Sequence, residues 1–294
     1  MISLTCILNA AAGSGHVPGR AVEITRLCAE LGASATVVTV VSGAEIVPEA
    51  RLALKHGQLI LAGGGDGTVN AVASTLAGTG CVLGVLPLGT CNHFAKDLGL
   101  PLDLRSAVRV ALTGRVKAVD VGDVNGQMFL NNSGLGLYPH LVTGRLAEQK
   151  QGHRKWVALA MAAVSCVRHP LPLLVSLRLD GADALVRRTP LLFVGNNRYC
   201  MTGPHMGGRT RLDAGELWMC VAYDAGYARL LGMTVRALAG HVRQTDLEMR
   251  SMADLWVGMQ RREVAVARDG EVTKMPTPLH YRIRPAALRV MVPV

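Results

Sequence analysis

An apolar strand that breaks into glycines immediately before a helix limits the folds open to this chain more than any other feature. Gln58 to Ala62 carries the run Leu59-Ile60-Leu61-Ala62, Gly63-Gly64-Gly65-Asp66-Gly67 follows, and Thr68-Val69-Asn70 opens a helical period that reaches Leu76. A strand apolar on both faces belongs inside a sheet covered on both sides, which is the parallel arrangement. The same alternation surrounds it. Ile2 to Leu8 reads as a strand, and after Pro18 a helical stretch puts Ile24, Leu27, Cys28 and Leu31 on one face and stops at Gly32. Ala35 to Val41 reads as a second strand, with Ser42 and Glu45 as a capping box for a helix ending near Gly57. Val82 to Leu86 is a further strand, running into Pro87 and a loop. Residues 1–122 are therefore expected to form an α/β, parallel-sheet domain.

The punctuation changes after about Val116. Asn125-Gly126, Asp180-Gly181 and Asp269-Gly270 each lie between apolar or alternating runs, the signature of tight hairpins. Residues 123–294 are expected to be mainly antiparallel β, with a last strand that returns to the first domain. Helices are expected near His140 to Gln151, Lys155 to Val167 and Tyr227 to Leu238.

At 294 residues, half of them hydrophobic and 18% charged, the chain has material for two cores and no composition of disorder. Its formal charge of +10 suits an anionic partner: nucleotide, nucleic acid or an acidic membrane. Aromatics are only 4% and no basic stretch is interleaved with them, so stacking on nucleic acid is not expected. Seven cysteines without a CxxC pair read as reduced thiols of a cytoplasmic protein. The N-terminus reads as strand, not signal peptide, and the longest apolar run, Trp156 to Val167, is too short to span a bilayer.

The glycine turn carries the first chemistry. Glycines let backbone approach an anion closely, and amides at the start of the following helix would face phosphate oxygens, with side-chain help from Thr68 and Asn70. Asp66 would repel phosphate unless a cation stands between them, which argues for Mg2+. The plainer alternative is a tight strand-to-helix turn with Asp66 as N-cap. No Gly-Lys-Ser/Thr follows, so this is not a Walker loop; Gly13-Ser14-Gly15 with Gly19 lacks the acidic partner of a dinucleotide fingerprint. Asn9 to Gly15 reads as another strand-end loop beside the same cleft. Pro87 to Ala95 is a second turn after a buried strand, at the sheet end where α/β folds bind ligands. His93 reads as a surface or capping histidine. Arg187-Arg188, Arg209 and Arg261-Arg262 read as solvated charges.

Gly64-Gly65-Asp66-Gly67-Thr68-Val69-Asn70 and Gly89-Thr90-Cys91-Asn92-His93-Phe94-Ala95 resemble the GGDGTxN and GTxNxFA motifs of the diacylglycerol kinase catalytic-domain family. The likeness extends through Asn9 to Gly13, Thr39 to Gly43, Phe129 to Gly136, Arg211 to Leu217 and Asp269-Gly270-Glu271. That resemblance implies an α/β nucleotide-binding domain followed by a β-sandwich-like domain, and an ATP- and Mg2+-dependent kinase acting on a lipid hydroxyl at a membrane surface, peripheral to the inner membrane. Asn9, Thr39, Gly64, Gly65, Asp66, Gly67, Thr68, Val69, Asn70, Gly89, Thr90 and Asn92 would serve the nucleotide. Asp66 would organise metal and phosphates, and Glu271 would match the proton acceptor, although Asp269-Gly270-Glu271 alone is an ordinary hairpin turn. Where relatives carry an aspartate for a structural Mg2+ the chain has Ala214, which leaves Arg211, Asp213 and Glu216 as the expected metal set. Ala10 replaces the usual proline. The basic-then-apolar stretch from Arg145 to Val167 fits either a membrane surface or a core helix. A homodimer stays open. Two rivals remain: a kinase of NAD or a small molecule sharing the glycine turn, and a non-catalytic lipid- or nucleotide-binding module.

Overall fold

Strand β1 (Ile2–Asn9) begins a regular alternation: α1 (Arg20–Glu30), β2 (Ala33–Val40), α2 (Gly43–Ala53), β3 (Leu59–Gly64), α3 (Asp66–Leu76), β4 (Val82–Pro87), the single turn α4 (His93–Asp97) and α5 (Leu104–Thr113). These come from a computed structural model that describes residues 2–10, 19–139, 172–201, 207–223 and 247–294. The expected loop at Gly13-Ser14-Gly15 and the expected helices near His140, Lys155 and Tyr227 lie outside those residues. The chain divides into two compact units, one of residues 1–121, 211–213 and 285–294, the other of 122–210 and 214–284.

In the first unit β1 pairs in parallel with β2 and β3, and β3 with β4. The core reflects that pattern: Leu4, Cys6 and Leu8 of β1 and Leu61 of β3 pack with Ile24, Leu27 and Cys28 of α1 and with Ala107, Val108 and Ala111 of α5. Each fully buried Leu or Ile here contributes about 1.5–3 kcal/mol of transfer free energy. Helix α2 starts close to the expected box. Ser42 accepts from Ala44 N–H at 3.3 Å, while Glu45 reaches back one residue further than a standard box, to Val41 N–H at 3.2 Å. Helix α5 is absent from the sequence reading; Asp103 caps it through Ser106 N–H at 2.9 Å.

The chain continues through β5 (Arg115–Val124), β6 (Gln127–Phe129), β7 (Asn132–Gly136), β8 (Leu173–Leu179), β9 (Leu185–Thr189), β10 (Leu191–Asn196), β11 (Leu217–Ala222), β12 (Leu247–Met252), β13 (Asp254–Gly258), β14 (Glu263–Arg268), β15 (Glu271–Pro276) and β16 (Leu279–Val292). In the second unit β12-β11-β10-β7-β14-β15 form one antiparallel sheet. The first residues of β16 pair with β13, β13 with β8 and β8 with β9, all antiparallel. The two layers share a core that includes Leu135, Val194, Met219 and Val266 from one and Val175, Leu177, Leu255 and Tyr281 from the other. The last residues of β16 instead join the first unit's sheet, Arg289 opposite Val82 and Val290 opposite Leu83.

All three hairpin dipeptides behave as read. Asn125-Gly126, Asp180-Gly181 and Asp269-Gly270 each hold two successive positive φ angles, 49° and 80°, 47° and 78°, and 45° and 89°. That pair of angles defines the type I′ turn, whose twist matches two antiparallel strands.

Candidate functional site

Strands β3 and β4 run parallel in register from Leu59 opposite Val82 to Gly64 opposite Pro87, so the loops that follow leave the same sheet end side by side. Leu88 N–H donates to Gly64 C=O at 3.0 Å, and the loops then touch backbone to backbone. A Cβ on Gly89 would lie 2.3 Å from Gly65 Cα and 3.2 Å from Gly65 N; one on Gly64 would lie 2.4 Å from Thr68 Oγ1. Close approach, not special φ, is what these glycines supply.

Side chains lock the arrangement. Asn92, itself at φ 51°, accepts from Gly89 N–H at 3.1 Å and donates to the carbonyls of Gly89 at 2.7 Å and Pro87 at 3.3 Å. Asn9 donates to Thr68 Oγ1 at 2.9 Å. Both asparagines therefore hold the loops. Gly65, not Asp66, is the N-cap of α3, and Val69 N–H to Gly65 C=O, at 3.0 Å, is the first intrahelical bond. The amides of Asp66, Gly67 and Thr68 precede it, so they are donors the helix does not use. Half-buried Asp66 accepts from Phe94 N–H through Oδ1 at 3.3 Å, which ties the first loop to α4. Asn70 Oδ1, one turn into α3, is buried with no hydrogen-bond partner among the described residues. Thr90 and His93 are exposed beside this loop pair, and Thr39 is exposed on the edge strand β2.

A glycine-lined rim, free amides at a positive helix end and a single carboxylate fit a polyphosphate with a divalent cation, because Mg2+ is usually held by one or two carboxylates plus the phosphates themselves. The expected set Arg211, Asp213 and Glu216 is different. The Asp213 carboxylate carries Lys117 Nζ and Arg211 Nε, each at 3.3 Å, so a cation there would have to displace two others. Glu216 supplies its main-chain carbonyl to Asn197 N–H at 3.0 Å. Among the described residues no cluster of three or more His, Cys, Asp or Glu could hold a metal ion, and no step below passes through one at these positions.

The second unit contains a separate constellation around Asp269-Gly270-Glu271. The Asp269 carboxylate accepts from three consecutive amides, Leu130 at 2.7 Å, Asn131 at 2.8 Å and Asn132 at 3.1 Å. Burial pushes this carboxyl above its ordinary range, against the pull of the amides and of Arg209. Arg209, read from sequence as a solvated charge, is only 4% exposed: Nη1 donates to the carbonyls of Leu130 at 2.7 Å and Asn196 at 2.9 Å, Nη2 to Asn131 Oδ1 at 2.7 Å. Its guanidinium also stands 5.5 Å from the Tyr199 ring centre, and Tyr199 stacks on Trp218. Arg187 is likewise paired, Nε to Glu248 at 2.7 Å. Glu271 follows the turn as an exposed residue opposite Arg268. Of these partners the sequence reading missed Arg209, Asn196 and Tyr199; the available signal was the pair of amide doublets, Asn131-Asn132 and Asn196-Asn197, at the ends of apolar runs.

Residues 3–124 match the family model described as diacylglycerol kinase catalytic domain, and residues 141–292 match that described as YegS C-terminal NAD kinase beta sandwich-like domain. A curated relative from Klebsiella pneumoniae (strain 342), "Probable lipid kinase YegS-like", is 36% identical over 128 residues, 43% of this chain and 41% of the relative. The same-named protein of Yersinia pestis (strain Pestoides F) is 35% identical over 125 residues, 41% of this chain and 40% of the relative. The aligned stretch thus spans about two fifths of those relatives. Among solved structures, a putative diacylglycerol kinase from Bacillus anthracis superposes with a TM-score of 0.78 at 22% identity, covering 99% of this chain and 95% of that one. An Archaeoglobus fulgidus NAD kinase in complex with ATP superposes at 0.55 and 12% identity, covering 98% and 93%. These two likenesses establish the fold.

Proposed function

The chain belongs to the family that joins a diacylglycerol kinase catalytic domain to a YegS C-terminal domain, and from that premise we propose that it is an ATP-dependent lipid kinase. It transfers the γ-phosphoryl group to a hydroxyl of a diacylglycerol-like or sphingoid lipid. The observation that carries this reading is the backbone contact of Gly65 with Gly89, at the turn where the amides of Asp66, Gly67 and Thr68 precede the first intrahelical bond of α3.

The amides of Asp66, Gly67 and Thr68 bind phosphate oxygens; Asn9 steadies the first loop and Asn92 the second, while the bonds of Leu88 N–H to Gly64 C=O and Phe94 N–H to Asp66 join them. Asp66 is the carboxylate that holds Mg2+, which when bound neutralises charge on the phosphates. Glu271 accepts the proton of the attacking hydroxyl, on a turn that Asp269 fixes through three amides.

Labelled ATP offered with a panel of diacylglycerols and sphingoid bases in mixed micelles, with NAD as a separate acceptor, tests the proposal. A labelled phospholipid supports it. Label found only in NADP, or ATP bound with no ADP released for any lipid, rejects it.

A further inference from the structure

The β9-β8-β13-β16 layer of the second unit has a second face that the kinase reading does not use. Along β8, β13 and β16 the residues Val175, Leu177, Leu255, Val257, Leu279 and Tyr281 enter the core. Strand alternation turns the residues between them to the other side. There Leu174, Val186 and Trp256 are 53%, 61% and 39% exposed, large values for apolar side chains that share one sheet face. They are interleaved with arginines by register: Leu174 lies opposite Arg188 and Trp256 opposite Arg178. Arg282 lies at the rim, 3.8 Å from Asp123.

Two acidic groups beside it, Asp254 and Asp180, are engaged locally. His280 stacks on Trp256 with ring centres 3.9 Å apart and holds Asp254 Oδ2 at 2.5 Å through Nε2, and Asp180 accepts the amides of Ala253 and Asp254, each at 2.9 Å. What faces outward is an array of aliphatic and indole side chains among guanidinium groups, on a chain of net charge +10.

We propose that this face docks on an anionic lipid bilayer, with Leu174, Val186 and Trp256 entering the headgroup region while Arg178 and Arg188 meet lipid phosphates. Indole rings favour the interface between water and hydrocarbon, and arginine pairs with phosphate in a fork. A soluble polyanion would gain from the arginines but would leave the apolar residues exposed. A second copy bound about a two-fold axis would bring a second set of the same arginines into one interface, adding like charge where lipid phosphates would neutralise it. A bilayer meets both halves of the pattern. Docking of this kind serves the lipid acceptor proposed above and rests on that reading for its purpose, while binding itself is measured without ATP.

The full chain is sedimented with phosphatidylcholine vesicles with and without phosphatidylglycerol. It should bind those with phosphatidylglycerol, and Arg178→Glu/Arg188→Glu should weaken partitioning by roughly thirtyfold or more, since each basic side chain near an anionic leaflet contributes about fivefold. Leu174→Ser/Val186→Ser should also bind less, and both variants should melt as the parent does. Both should keep turnover on a dissolved short-chain diacylglycerol and lose it on vesicle-borne substrate. Variants that sediment like the parent overturn the proposal, as does binding indifferent to phosphatidylglycerol, or a parental dimer lost in the variants with vesicle binding intact. If no lipid is phosphorylated but the binding pattern holds, docking stands and the kinase reading falls; if lipid is phosphorylated and the variants bind normally, docking alone falls.

Discussion

Replacing Gly89 by alanine tests the loop contact directly. The new Cβ would stand 2.3 Å from Gly65 Cα, whereas carbon atoms in favourable contact are about 3.5–4.0 Å apart, so the two backbones must separate by at least about 1.2 Å. They are not free to do so. Leu88 N–H to Gly64 C=O ties them at 3.0 Å, and Gly89 N–H to Asn92 Oδ1, at 3.1 Å, fixes the second loop against relaxing. Forcing extra volume into such a contact costs about 1–3 kcal/mol, and displacing a catalytic loop by about 1 Å costs on the order of a hundredfold in rate. Gly67→Ala is the control, because that position is exposed with open space around its Cβ, and alanine improves a helical turn by up to about 1 kcal/mol. Thermal unfolding and ATP titration calorimetry on both variants read the result. Gly89→Ala should melt lower and bind ATP weakly, and Gly67→Ala should melt no lower than the parent. A Gly89→Ala protein indistinguishable from the parent in both measurements would refute the idea that glycine is required there by contact.

Asp66→Asn keeps an oxygen for Phe94 N–H but loses the charge; turnover should fall at least about a hundredfold with the melting temperature held, and near-parental turnover in a lipid phosphorylation assay removes the carboxylate from the mechanism. Arg209→Met takes the guanidinium from the carbonyls of Leu130 and Asn196 and from the Asn131 side chain, and leaves the buried Asp269 carboxyl without that nearby cation, a loss of about 3–5 kcal/mol; a urea midpoint unchanged from the parent counts against a structural clamp. Hydrogen bonds from Arg187, reinforced by Arg250, hold the Glu248 carboxyl below its ordinary value of 4.5. A depressed carboxyl contributes stability that is complete above that ordinary value and is lost as pH falls through the lower, folded-state pKa. Glu248→Gln should therefore lower the melting temperature near neutrality and make no difference in strong acid, and an equal gap at both pH values would contradict the assignment.

What could be read from the sequence divides along physical lines. The run Leu59 to Ala62 and the three Asn-Gly or Asp-Gly dipeptides express local rules, burial on both faces and paired positive φ, and the structure follows them. Helix α5 obeys equally local rules, an Asp103 cap and an apolar stripe, but the stripe is Ala107, Val108 and Ala111, two of which carry little hydrophobic signal. Arg209 was illegible for another reason: two of its three acceptors are main-chain carbonyls, which every residue possesses and no sequence pattern marks.

The glycine contact lies between these cases. Each loop announces itself as a glycine turn after a strand, yet the reason for Gly89 is Gly65, brought against it only because β3 and β4 are neighbours in register. The two positions therefore form one constraint. A side chain at either fills the same gap, so once Gly89→Ala has parted the loops, adding Gly65→Ala should cost less than it does alone. A double variant whose loss in melting temperature equals the sum of the single losses would mean that each glycine answers to some other neighbour.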